Sequence, residues 1–275
     1  MKTRLLKLRL GAKKVIFFAV LVALLPFSCD KENKNLNIFT VADDIQFGRD
    51  FDAQIRTSGE YVILDENQYA EAYRIINLYK DKLLATGKVA YADRFDWKVR
   101  IIKDDNTVNA FAVPGGYLYF YTGLIRVLDN EAEFVGVMAH EMGHVACRHS
   151  TKQLTEAYGI ELMLALLLGN SDNQWAEIAA GFAGGLVALK FSRNDEYEAD
   201  RCAVTYTYPT EWDARGVADF FERMGSQTTT PVFLSTHPAD KDRVKKVNET
   251  WEKLGGKTTG KLNKTEYEHF KAVLR

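Results

Sequence analysis

Residues 137–150, VMAHEMGHVACRHS, hold three of the chain's five histidines, and two of them bracket a glutamate as His140-Glu141-x-x-His144. Residues four apart on a helix share a face, so two neutral imidazoles at this spacing can hold one Zn2+. Glu141, next to the first ligand, can reach a water on that metal. Zinc lowers the water's pKa towards about 7, and the carboxylate can take its proton. The plainer alternative is a surface histidine pair beside a solvated glutamate. A second cluster, 52 residues beyond His144, counts against it: Glu196 and Asp200 again stand four apart. A catalytic zinc usually takes three protein ligands and keeps one position for water. Glu196 can be the third ligand, and Asp200 is placed to orient a ligand histidine from behind. Glu198 is the other candidate ligand, but two residues from Glu196 it points about 200° away on a helix. His149, nine residues past His140, falls about 180° round a continuous helix. It is expected to face away from the metal as a structural or surface residue.

The motif needs a scaffold. Asp129 or Asn130 can cap a helix with Glu131 and Glu133 in its first turn, and this helix is expected to run through the motif to about Gln153. Upstream, residues 41–57 and 66–86 carry apolar side chains at helical spacing. Residues 97–102, 109–113 and 117–121 read as short strands, the last two separated by a Pro114-Gly115-Gly116 turn. The expectation is an α+β fold, mostly helical, with a small, largely antiparallel sheet beside the motif helix. Two apolar runs, 160–168 and 178–189, are shorter than the roughly 20 residues of a spanning helix. Buried helices are favoured there over a hairpin dipping into a membrane.

The chain has 275 residues with a formal net charge of −1, which argues against a nucleic-acid partner. Residues 1–28 read as a leader: six basic residues precede an apolar run at 15–25, too short to span a bilayer. Cys29 then stands where a lipoprotein would be cleaved and acylated, with plain secretion or an uncleaved anchor as the alternatives. Residues 29–42 read as a tether and 43–275 as one domain. Without residues 1–28, 30 Lys and Arg face 37 Asp and Glu, so the body is acidic. Cys147 and Cys202 are expected as small core residues, with a single bridge as the other reading.

The two clusters together, His140-Glu141-Met-Gly-His144 and Glu196-Tyr-Glu-Ala-Asp200, resemble the gluzincin metallopeptidases of the HtpX and CAAX-prenyl-protease family. Within it, the chain is similar to the soluble periplasmic branch that includes LoiP and BepA. Asn109-Ala-Phe-Ala-Val-Pro-Gly-Gly116 with Thr122-Gly-Leu124, Ser192-Arg193, and Thr236-His-Pro238 with Arg243 agree with it, over roughly residues 43–254. The resemblance implies a zincin-type fold with one Zn2+ per chain on His140, His144 and Glu196. Glu141 would be general base and later proton donor, and Asp200 would fix the ring of His140. His237 would approach the metal from a loop before the last helix. There it can donate to an oxyanion, or occupy the metal's open position and hold the enzyme latent; a capping or surface role is the third possibility. The resemblance also makes Asn109, Ala110, Phe111 and Ala112 an edge strand to which a substrate peptide adds as an extra strand. The implied activity is an endopeptidase on unfolded or misassembled proteins of a bacterial envelope, anchored to a membrane and facing the periplasm. Its rival is a protease-fold chaperone or scaffold that seldom cuts. The chain shows neither the extra membrane helices of the embedded relatives nor a helical repeat, so a prenylated substrate is not expected.

Overall fold

The structure, a computed structural model, describes residues 37–167, 191–225, 231–238 and 241–275. The expected leader, Cys29, most of the tether and the apolar run 178–189 lie outside the described residues. Helix α1 (Val41–Thr57) opens with a capping box in which Thr40 and Asp43 satisfy each other's backbone amides. Helix α2 (Ala70–Leu84) follows, and both helices lie within the stretches that apolar spacing predicts. Strands β1 (Lys98–Ile102), β2 (Ala110–Val113) and β3 (Tyr117–Tyr121) form one sheet in the order β1-β3-β2.

The sheet departs from the expected pairing. β2 and β3 are antiparallel across the Pro114–Gly116 turn, with Ala112 opposite Leu118, and Gly115 and Gly116 take positive φ of 79° and 95°. β1, however, runs parallel to β3, with Arg100 opposite Tyr119. The sheet is therefore mixed. Side-chain alternation reports which face a residue occupies; it carries no information on the direction of the neighbouring strand.

After a short helix α3 (Thr122–Val127), Asn130 caps α4 (Glu131–Ala146) by accepting the amide of Glu133 at 3.0 Å. Every residue of α4 is buried. Its first residue, Glu131, has a buried carboxylate that takes hydrogen bonds from Tyr79 (2.6 Å), Trp212 (2.8 Å) and Asn263 (2.7 Å). These bonds satisfy a negative charge at the favourable end of the helix dipole and pin three distant segments to it. Next to them Tyr79, Phe134, Trp212 and Phe270 pack at ring separations of 5.5–6.0 Å. Each such buried side chain contributes roughly 1.5–3 kcal/mol.

Helix α6 (Arg193–Thr207) lies closely along α4. Gly143 permits this: a Cβ there would stand 2.9 Å from the Cβ of Cys202 and 3.1 Å from the carbonyl of Ala199. Helices α7 (Gly216–Gly225), α8 (Val232–Thr236) and α9 (Lys241–Lys253) complete the walls round the motif, and α10 (Lys264–Ala272) closes the aromatic core.

The motif helix does not continue to Gln153. It ends at Ala146; Arg148 takes a left-handed φ of 58°, and a new helix, α5 (His149–Leu167), starts in another direction. The break is held from outside. The Arg148 guanidinium donates to the carboxylate of Asp44 in α1 and to the carbonyl of Phe39, the latter at 2.6 Å. Among the described residues, no helix is long and apolar enough to cross a membrane.

Candidate metal centre

Helix α4 places His140 and His144 on one face, and α6 brings Glu196 opposite them. His140 Nε2 lies 3.0 Å from His144 Nε2 and 3.5 Å from Glu196 Oε2; His144 Nε2 lies 3.7 Å from Glu196 Oε1. Nitrogen and oxygen ligands 2.0–2.2 Å from a tetrahedral zinc would stand roughly 3.3–3.6 Å from one another. The three separations bracket that spacing, and two imidazole nitrogens with a carboxylate oxygen are a donor set that zinc accepts. All three residues are at most 2% exposed.

His237 joins them. It is the C-cap of α8, held by its amide to the Phe233 carbonyl at 2.8 Å and stacked on the Phe233 ring at 4.6 Å. Its Nδ1 lies 3.3 Å from His140 Nε2 and 2.9 Å from Glu196 Oε1, so four donor atoms face one point. The family resemblance implies that this histidine approaches the metal; the structure places its Nδ1 among the candidate donor atoms. Beside the ring stands Glu141, 1% exposed. Its Oε1 is 3.6 Å from His237 Nε2 and has no hydrogen-bond partner. A buried carboxylate oxygen left without a donor is costly unless a water, proton or cation completes it.

The charges around the ring are tuned by burial and by one arginine. Burial and the neighbouring His140 charge push His144 well below its ordinary value, so it is neutral and ready to ligate. Glu196 is held well below the carboxylate range, because His237, His140 and Arg243 together outweigh the cost of burial. His140 also loses by burial, but its bonds to Asp200 and Glu196 win and lift it to about 9. Burial raises Glu141, against the opposing pull of His237 and His140. Asp200 faces the back of His140, with Oδ1 2.9 Å from Nδ1 though off the in-line direction.

Asp200 is gripped in turn by Arg243, which donates to both its oxygens at 2.7 Å. Arg243 also donates to the carbonyls of His237 and Pro238 at 3.2 Å and stands over the Phe221 ring at 3.9 Å. One fully buried guanidinium thus ties the back of a ligand histidine to the turn that carries His237.

A sequence profile described as peptidase family M48 matches residues 80–251, more than half of the chain. The chain belongs to peptidase family M48. It is 30% identical over 159 residues to the mitochondrial metalloendopeptidase OMA1 of Schizosaccharomyces pombe, covering 56% of this chain and 46% of that one. It is 26% identical over 200 residues to the same-named enzyme of Arabidopsis thaliana, covering 72% and 39%. It is 29% identical over 182 residues to the beta-barrel assembly-enhancing protease of Yersinia pestis, covering 62% and 37%. The chain thus matches less than half the length of each of these relatives.

In this M48 domain the expected substrate strand is found at an edge. β2 pairs with β3 on one side, and among the described residues no strand pairs with the other. Asn109 accepts the Tyr121 amide at 3.1 Å, so by alternation the backbone groups of Ala110 and Ala112 point to the free edge. Phe111 is half-buried and stacks on Tyr119 at 4.6 Å, and the buried Asn109 Oδ1 has no partner. Cys147 and Cys202 are both free thiols, with sulfurs 3.7 Å apart.

His149 is the residue that spacing alone misplaces. Because α4 breaks at Arg148, it does not face away: it is 1% exposed and its Nδ1 sits 2.9 Å from Nδ1 of His144. It remains outside the ring of four donors. The signal in the sequence that could have found it is Arg148 beside a possible partner in α1, and that partner, Asp44, is 104 residues away.

Proposed function

We propose that this chain is a zinc-dependent endopeptidase held in a latent state by His237. The observation that carries the reading is the buried ring of His140, His144 and Glu196 with the unpartnered carboxylate oxygen of Glu141 beside it. A zinc held there would supply Lewis-acid polarisation of a peptide carbonyl and a water of lowered pKa. Glu141 would take that water's proton as it attacks and return it to the departing amine. Burial has already raised its proton affinity, which suits a base that must hold the proton between the two events. Asp200 fixes the ring of His140, and Arg243 fixes Asp200.

His237 Nδ1 stands at ligand distance from the other donors, where a fourth ligand would sit. That position favours the latch over the oxyanion donor. A peptide would add to the free edge of β2 through Ala110 and Ala112, with Asn109 and Phe111 at its ends and flank. Main-chain pairing of this kind recognises extended or unfolded segments with little regard to side chains. The substrates we infer are misfolded or misassembled proteins of a bacterial envelope, in keeping with the beta-barrel assembly-enhancing proteases among the bacterial relatives. Anchoring through a lipid on Cys29, facing the periplasm, belongs to the same proposal and is read directly by mass spectrometry of the mature N-terminus.

Purified protein is expected to hold about one zinc per chain and to cleave an unfolded substrate such as casein. Glu141→Gln should keep the zinc and lose roughly 100-fold or more of the turnover. Full proteolysis by that variant would sink the mechanism. A second reading, a protease-fold chaperone, rests on the closure of the ring. It predicts suppression of aggregation by wild type and Glu141→Gln alike, with no cleavage by either.

A further inference from the structure

We propose that His149 and Glu198 form a relay that positions the ligand His144, as Asp200 positions His140. The inference rests on a metal being held at the ring described above. His144 turns Nε2 into that ring, so a neutral, ligating His144 carries its one proton on Nδ1. That nitrogen lies 2.9 Å from His149 Nδ1. His144 must therefore donate and His149 must accept. The single proton of His149 is then on Nε2, which lies 3.2 Å from Glu198 Oε2 and 3.6 Å from Asp195 Oδ1. The chain of contacts His144–His149–Glu198 is thus fixed in direction by proton accounting, with an acceptor carboxylate at its end.

The fold explains how these residues meet. Glu198 lies two positions from Glu196, on another side of α6, so it cannot reach the ring itself. The left-handed residue Arg148 turns the chain back at the end of α4 and delivers His149 as the first residue of α5, between His144 and Glu198. His149 is 1% exposed and Glu198 half-buried, so neither end of the relay is freely solvated. One helix, α6, then supplies a carboxylate to each point of the centre. Glu196 enters the ring, Asp200 backs His140, and Glu198 backs His144 through His149.

Cys147, His149 and Glu198 also gather with ligand atoms within 4.8 Å of one another, as a second metal site would require. The same proton count argues against it. Once His144 ligates through Nε2, His149 Nε2 carries a hydrogen and has no lone pair to offer.

The test uses the full chain and compares zinc affinity, by competition with a chromophoric chelator, in wild type, His149→Ala, His149→Gln and Glu198→Ala. Far-ultraviolet circular dichroism checks the fold of each. His149→Ala is expected to weaken zinc by about 10–100-fold, the usual scale for losing the group behind a ligand histidine. In His149→Gln the amide oxygen can accept from His144 while its NH2 donates to Glu198, so affinity should return to within several-fold of wild type. Glu198→Ala, near the surface, should lose about three- to tenfold by the same argument. At saturating zinc, kcat should fall with KM unchanged. Zinc binding by His149→Ala as tight as wild type, or a glutamine variant no better than alanine, overturns the relay. If His149→Ala fails to fold, the glutamine and Glu198 variants decide alone. A wild-type protein that binds no zinc at all would sink both the relay and the metallopeptidase reading, an outcome distinct from any of these.

Discussion

At the scale of single residues, His140 holds a proton where a metal would need its lone pair. His144 is neutral and Glu196 ionised, but the Asp200 and Glu196 contacts lift His140 to about 9, so it is protonated at neutral pH. A cation needs the lone pair that this proton occupies. Zinc binding at pH 7 should therefore release about one proton, and the apparent affinity should rise roughly tenfold per pH unit, levelling above about pH 9. Calorimetry in buffers of different ionisation enthalpy reads the proton directly; zero release would contradict the assignment. Asp200→Asn removes the main support of that proton and should reduce the release. It should also weaken zinc by about 10–100-fold, because His140 loses its backing.

At the scale of elements, spacing located more of the site than of its supports. Histidines four apart, carboxylates four apart and a turn of Pro114-Gly115-Gly116 are local signals, and the structure brings all of them to the expected elements. The direction of β1 against β3 and the end of α4 are set by contacts far along the chain, and no local pattern carries them. Arg148 is neither glycine nor asparagine, and it adopts φ of 58° because Asp44 and Phe39 hold its side chain. That one missed turn is why His149 was expected on the wrong side of the helix. Arg148→Met should strand the buried carboxylate of Asp44 and cost about 3–5 kcal/mol. Adding Asp44→Asn should recover part of the loss, as thermal unfolding of the single and double variants would show. On the sheet, the free edge makes a sharper claim. Ala112→Pro deletes one outward amide at a position where an edge strand tolerates proline. If peptides add to β2, KM should rise about five- to tenfold, the worth of one hydrogen bond, with zinc content unchanged. An unaltered KM would leave β2 as an ordinary edge strand.

At the scale of the whole molecule, the centre is assembled from α4, α6 and α8, and its donor residues are buried. Its candidate donor residues are at most 2% exposed, and a cleft of about 450 Å3 lined by Tyr197, Pro238 and Arg243 reaches Glu196. A substrate carbonyl reaches a centre this buried more readily once a group beside it moves. The group with a reason to move is His237, the C-cap of α8. His237 lies among the candidate donors from the end of a short helix, whereas His140, His144 and Glu196 are fixed in long helices. Arg243 ties this turn to Asp200, so the position of the latch and the orientation of His140 are set by one side chain. Removing the imidazole should leave three ligands, enough for a catalytic zinc, and free the fourth position. His237→Ala is therefore expected to keep its zinc and to cleave casein roughly tenfold faster, since the competent state no longer competes with the latched one. An oxyanion donor predicts the opposite, a loss of about 100-fold or more in kcat at unchanged zinc content. The two outcomes differ in sign, so one steady-state comparison at saturating substrate decides whether the molecule is built closed or merely built tight.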